Sequence, residues 1–87
     1  MRVVVTRIAH DGTLRRRMVD TARQRARREW EELTARALAA PVPYRPVPGL
    51  TVYHVRVGHH VVVIAEHDLA GPLLDLVAAV LALGDPL

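Results

Sequence analysis

Thr51-Val52-Tyr53-His54-Val55-Arg56-Val57-Gly58-His59-His60-Val61-Val62-Val63-Ile64-Ala65-Glu66 is the stretch that decides the fold. Two β-branched runs flank Gly58-His59, a two-residue turn with glycine first, as a type II′ hairpin requires. Pairing Val57 with His60 puts Tyr53, Val55, Val57, Val62 and Ile64 on one face. Val52, His54, Arg56, Val61, Val63 and Ala65 then occupy the other.

A second hairpin precedes it. Arg2 to Ile8 is valine-rich, His10-Asp11-Gly12 is a turn signal, and Thr13 to Val19 continues extended. With a three-residue loop and Gly12 left-handed, Ala9 faces Thr13. Counting outward groups Val4, Thr6, Ile8, Leu14, Arg16 and Met18, expected to be the core face with Arg16 as its misfit. Val3, Val5, Arg7, Arg15, Arg17 and Val19 form the opposite face.

Each hairpin leads into a helical pattern. Asp20-Thr21 offers an N-cap, and Thr21 and Gln24 have capping-box spacing. Ala22, Ala26, Trp30, Leu33 and Ala37 recur at helical steps and predict a helix of about 20 residues ending before Pro41. Arg28–Glu32 and Glu32–Arg36 are the expected i,i+4 pairs. In the second pattern Asp68 is expected to cap a helix, with Pro72 in its first turn and Gly84 at its end. Leu73, Leu76, Val77 and Val80 make its core stripe, while Leu74, Ala78 and Leu81 offer an oligomer face. Residues 41–50 hold four of the six prolines and read as a crossover connector.

The order ββαββα predicts one small α+β domain over residues 1–87, a four-stranded antiparallel sheet with two helices on one face. Its open face is expected to carry Arg7, Arg15, Arg17, Arg56 and His54 among Val3, Val5, Val61 and Val63, a surface suited to a protein partner.

Composition narrows the chemistry. The 87 residues contain no Cys and no Ser, which removes disulfides, thiolate metal sites and two common nucleophiles. Five histidines invite a metal reading, but His54, His59, His60 and His67 do not have the spacing of converging ligands, and no metal or cofactor is expected. A chain this short has little room for a deep substrate cavity, so an enzyme is not expected. Residues 1–45 hold 11 Arg and five acids, a charge of +6, whereas residues 46–87 carry −3. Every basic residue is Arg, a pattern that GC-rich codon usage produces without any function. Arg15 to Arg28 form a basic run suited to phosphates, the basis of a nucleic-acid alternative. Few aromatics for stacking, together with Glu29, Glu31 and Glu32, weigh against it. The most apolar stretch, Leu69 to Leu83, is too short to span a bilayer, and a cytoplasmic chain is expected.

The opening Met1-Arg2-Val3-Val4-Val5-Thr6-Arg7, Arg15-Arg16-Arg17 leading to Asp20-Thr21-Ala22, Trp30, and the helix end Ala35-Arg36-Ala37-Leu38-Ala39 resemble small bacterial proteins of the emfourin type. The resemblance continues through Tyr53 to Val57, Asp68-Leu69 and Leu73-Leu74-Asp75-Leu76-Val77. It implies an inhibitor of thermolysin-like, protealysin-type zinc metallopeptidases that occludes the peptidase cleft. Where the family's first hairpin usually turns through a Ser-Gly-Gly type sequence, this chain has Ile8-Ala9-His10-Asp11-Gly12. The expected partner-binding residues are Arg7, His10, Asp11, Gly12, Arg15, Arg17 and Arg56. A turn role for His10 and Asp11 is expected ahead of direct approach to a catalytic zinc. A homodimer through Leu74, Ala78 and Leu81 is the third reading.

Overall fold

The computed structural model describes residues 1–39, 41–42 and 49–87. The chain is α+β. Strands β1 (Arg2–Ile8) and β2 (Leu14–Asp20) are followed by helix α1 (Arg27–Ala39), and strands β3 (Val52–Val57) and β4 (His60–Ala65) by helix α2 (Gly71–Leu83). A short fifth strand, β5 (Asp85–Pro86), adds to the expected four. The sheet is antiparallel with the order β4-β3-β1-β2-β5. Most of the expected connector, residues 41–50, lies outside the described residues.

Both hairpin registers follow from the turns. The Ala9 amide donates to the Thr13 carbonyl and the Gly12 amide to Ala9, each at 2.9 Å, and Gly12 has φ +87°. Ile8 therefore faces Leu14, and the pairing runs out to Arg2 opposite Asp20. In the other hairpin Gly58 has φ +57° while His59 stays at negative φ, as a type II′ turn requires, and Val57 faces His60.

The first hairpin presents the opposite face to the core from the one expected. Val3, Val5 and Val19 are buried with Tyr53, Val55, Val62 and Ile64, in one cluster with Ala37 of α1 and Leu73, Leu76, Val77 and Val80 of α2. Arg7, Arg15 and Arg17 share that face, so the expectation that they lie on the open face fails. Long arginines at the margin of a buried face keep their charged ends in water, so they do not disqualify it. Arg15 also gains a partner there: its Nη2 donates to the Leu81 carbonyl at 3.0 Å, near the end of α2.

Helix α1 is shorter than its sequence pattern. Asp20 caps only a brief 3-10 turn, Thr21–Arg23, by accepting from the Ala22 amide (3.2 Å), and Gln24 returns to extended backbone. The capping box does not form around an α-helix, because the Thr21 hydroxyl and amide both donate to the Met1 carbonyl, at 3.2 and 2.9 Å. Arg23 and Arg25 thereby stay outside the helix, whose N-terminal dipole disfavours cations. Arg27 pairs with Glu31 at 2.9 Å on the helix surface, one residue before the expected Arg28–Glu32. Thr34 satisfies its buried hydroxyl on the Trp30 carbonyl (2.7 Å).

Asp68 does not cap α2. It lies in the 3-10 turn Glu66–Asp68, and α2 starts after Ala70, which makes no side-chain cap bond. The predicted stripe of α2 is buried as expected. No helix among the described residues is long and apolar enough to cross a membrane.

Candidate protein-binding surfaces

Two surfaces stand out. The first is the end of the β1–β2 hairpin, where His10, Asp11 and Gly12 are exposed. The two backbone bonds that close the loop are reinforced by an Asx bond, in which Asp11 Oδ1 accepts from the Thr13 amide at 2.9 Å. Hydrogen bonds from the Thr13 hydroxyl and amide hold the Asp11 carboxyl below the ordinary aspartate range. Arg7 and Arg15 face each other behind the loop on the helix side of the sheet, with Arg17 two residues further along β2. Ile8 and Leu14 face each other on the open side, and Leu14 is 60% exposed. The tip therefore has a cationic shoulder and an apolar one.

The second surface is the open face of the sheet. Reading across β4, β3, β1 and β2, its rows are Val61-Arg56-Val4-Met18, Val63-His54-Thr6-Arg16 and Ala65-Val52-Ile8-Leu14. Val61 and Val63 are 48% and 41% exposed. Thr6 is only 5% exposed in the middle of this face, because Arg16 lies over it and donates from Nε to the Thr6 hydroxyl at 3.0 Å. Arg56 is similarly tethered, its Nε donating to the Gly58 carbonyl at 3.1 Å.

The expected site residues are thus divided. Arg7, His10, Asp11, Gly12, Arg15 and Arg17 gather at or behind the hairpin tip, whereas Arg56 belongs to the open face. The run from Arg15 to Arg28 is also divided: Arg16 lies on the open face, Arg15 and Arg17 on the other, and Arg23, Arg25, Arg27 and Arg28 lead into and begin α1. Sequence reasoning missed Arg16 as a surface group, because the inverted face assignment made it a misfit in the core. Its cross-strand partner Thr6 was the available signal, since a threonine opposite an arginine offers it an acceptor. On α2, Leu74 and Ala78 are exposed, and Leu81 is half-buried with its carbonyl bonded to Arg15.

Among the described residues, no group of three His, Asp or Glu side chains is placed to hold a metal ion. No protein family, characterised protein or solved structure matches this chain in sequence or fold.

Proposed function

We propose that the chain is a small inhibitory interaction module of the kind the emfourin resemblance implies, which occludes the cleft of a thermolysin-like zinc metallopeptidase with its first hairpin. The observation that carries this reading is the locked, exposed tip: three short hydrogen bonds fix residues 9–13 while His10 and Asp11 face outward. A loop already in one conformation loses little entropy when it binds, so more of its contact energy becomes affinity. Ile8 and Leu14 supply apolar contact beside the tip, and Arg7 and Arg15 supply charge for steering toward an acidic cleft rim. Arg56 is left out of this contact because it pairs with Val4, four residues along β1 from Ile8 and the tip.

The test is titration of the purified chain into a thermolysin-like peptidase while hydrolysis of a short peptide is followed. Hydrolysis is expected to fall to baseline at micromolar excess. Undiminished hydrolysis refutes the reading for that enzyme.

A further inference from the structure

The open face of the sheet is a docking surface distinct from the hairpin tip, and the geometry points to an acidic amphipathic helix of a partner protein as its occupant. Val61 with Val63 on β4 and Val4 with Met18 on β1 and β2 give it two apolar patches, on either side of Arg56 and His54. Its charge is of one sign at the centre: Arg16 and Arg56 are exposed there, and the acids that share this face, Asp20 and Asp85, pair at its rim. Both guanidinium groups spend Nε inside the chain, on Thr6 and on the Gly58 carbonyl, which orients the two terminal nitrogens of each for a carboxylate.

Spacing fits a helical partner. Arg16 and Arg56 lie two strands apart and two residues offset, so their backbones are separated by about 12 Å. Along an α-helix about 12 Å is about eight residues, or two turns, which keeps two carboxylates on one side of an apolar stripe. A second copy is a poorer occupant, since face-to-face packing would set the arginines of one sheet against those of the other. Nucleic acid is also poorer, because among the described residues this face carries no Phe, Tyr or Trp on which a base could stack.

The experiment is an amide chemical-shift titration of the whole chain with a synthetic helical peptide of about 18 residues. The peptide carries a leucine stripe flanked by glutamates two turns apart, and a control peptide carries lysines instead. The glutamate peptide is expected to shift the amides of Val4, Thr6, His54 and Val63, with the lysine peptide at least about tenfold weaker. The double variant R16E/R56E should reverse that preference, and R16Q/R56Q should abolish it without adding negative charge. Shifts confined to residues 9–13, equal binding of both peptides, or no shifts at millimolar peptide would each overturn the proposal. So would concentration-dependent shifts of this face without peptide, or a single-stranded oligonucleotide moving the same amides at lower concentration. Substituting His10 and Asp11 leaves this titration unchanged, so it fails or succeeds independently of the peptidase reading.

Discussion

The Arg15 guanidinium donates to the carbonyl oxygen of Leu81 at 3.0 Å, joining β2 to the last turns of α2 across 66 residues of sequence. Helix α2 has no basic residue of its own in its last turn. Arg15 therefore supplies from a neighbouring strand the cation that a helix C-terminus favours. Replacing Arg15 with Gln is expected to cost about 0.5–1 kcal/mol at low salt and less at high salt. Urea denaturation at two ionic strengths reads both effects.

Gly84 sits where α2 turns into β5, and its demand is for space. Its φ is −76°, open to any residue, but an added Cβ would lie 2.6 Å from the Val80 carbonyl oxygen and 2.9 Å from that of Met18. Both atoms are backbone, so the helix end or the β5 contact must shift. Gly84→Ala is expected to destabilise by about 1–3 kcal/mol. Gly58→Ala, with open space around it but φ +57°, should cost about 1–2 kcal/mol through its backbone alone. Amide exchange separates them: the first variant loosens Asp85 and Met18, the second the turn between β3 and β4.

Burial in the first hairpin predicts a sharp contrast. Val5 is 0% exposed, whereas Val63 on the open face is 41% exposed. Val5→Ala is expected to cost about 2–3 kcal/mol through lost contacts and a cavity. Val63→Ala should stay within about 0.5 kcal/mol. Thermal unfolding of the two variants measures the difference, and equal losses would mean that the sheet is covered on both faces.

The Asp11 carboxyl is held below its ordinary value by the bonds from Thr13. Because the folded value is depressed, this carboxylate contributes to hairpin order above the unfolded pKa, and the contribution is lost as pH falls through the folded one. An acid titration followed by NMR should therefore show the Asp11 carboxyl and the Thr13 amide moving together, at a lower midpoint than a free aspartate. Asp11→Asn keeps an acceptor and removes the proton, so the Thr13 amide should stop titrating.

Local chemistry made much of the fold legible. Gly12 and Gly58-His59 set the two registers, and the Leu73, Leu76, Val77 and Val80 spacing set the buried side of α2. The face of the first hairpin was not legible, because β1 is apolar on both sides and β2 carries arginine on both. A count of misfits favoured one exposed-looking Arg16 over Arg15 and Arg17. The structure resolves this with a long-range bond that no local pattern contains, Arg15 to Leu81, and with marginal positions where arginine reaches water. The start of α1 was hidden for a similar reason: Thr21 has local capping spacing, but its hydroxyl donates to the carbonyl of Met1, just before β1. Of the candidate site, the hairpin tip was legible as a turn. The tethered Arg16–Thr6 pair depended on the face assignment and so was missed.

The most direct test of the central claim compares the unmodified chain with a His10→Ala, Asp11→Ala variant as inhibitors of one thermolysin-like peptidase, under identical conditions. The account predicts inhibition by the unmodified chain at micromolar concentration, at least about tenfold weaker inhibition by the tip variant, and no change on Arg56→Ala. A tip variant that inhibits as well as the unmodified chain, or an unmodified chain that does not inhibit, would contradict it.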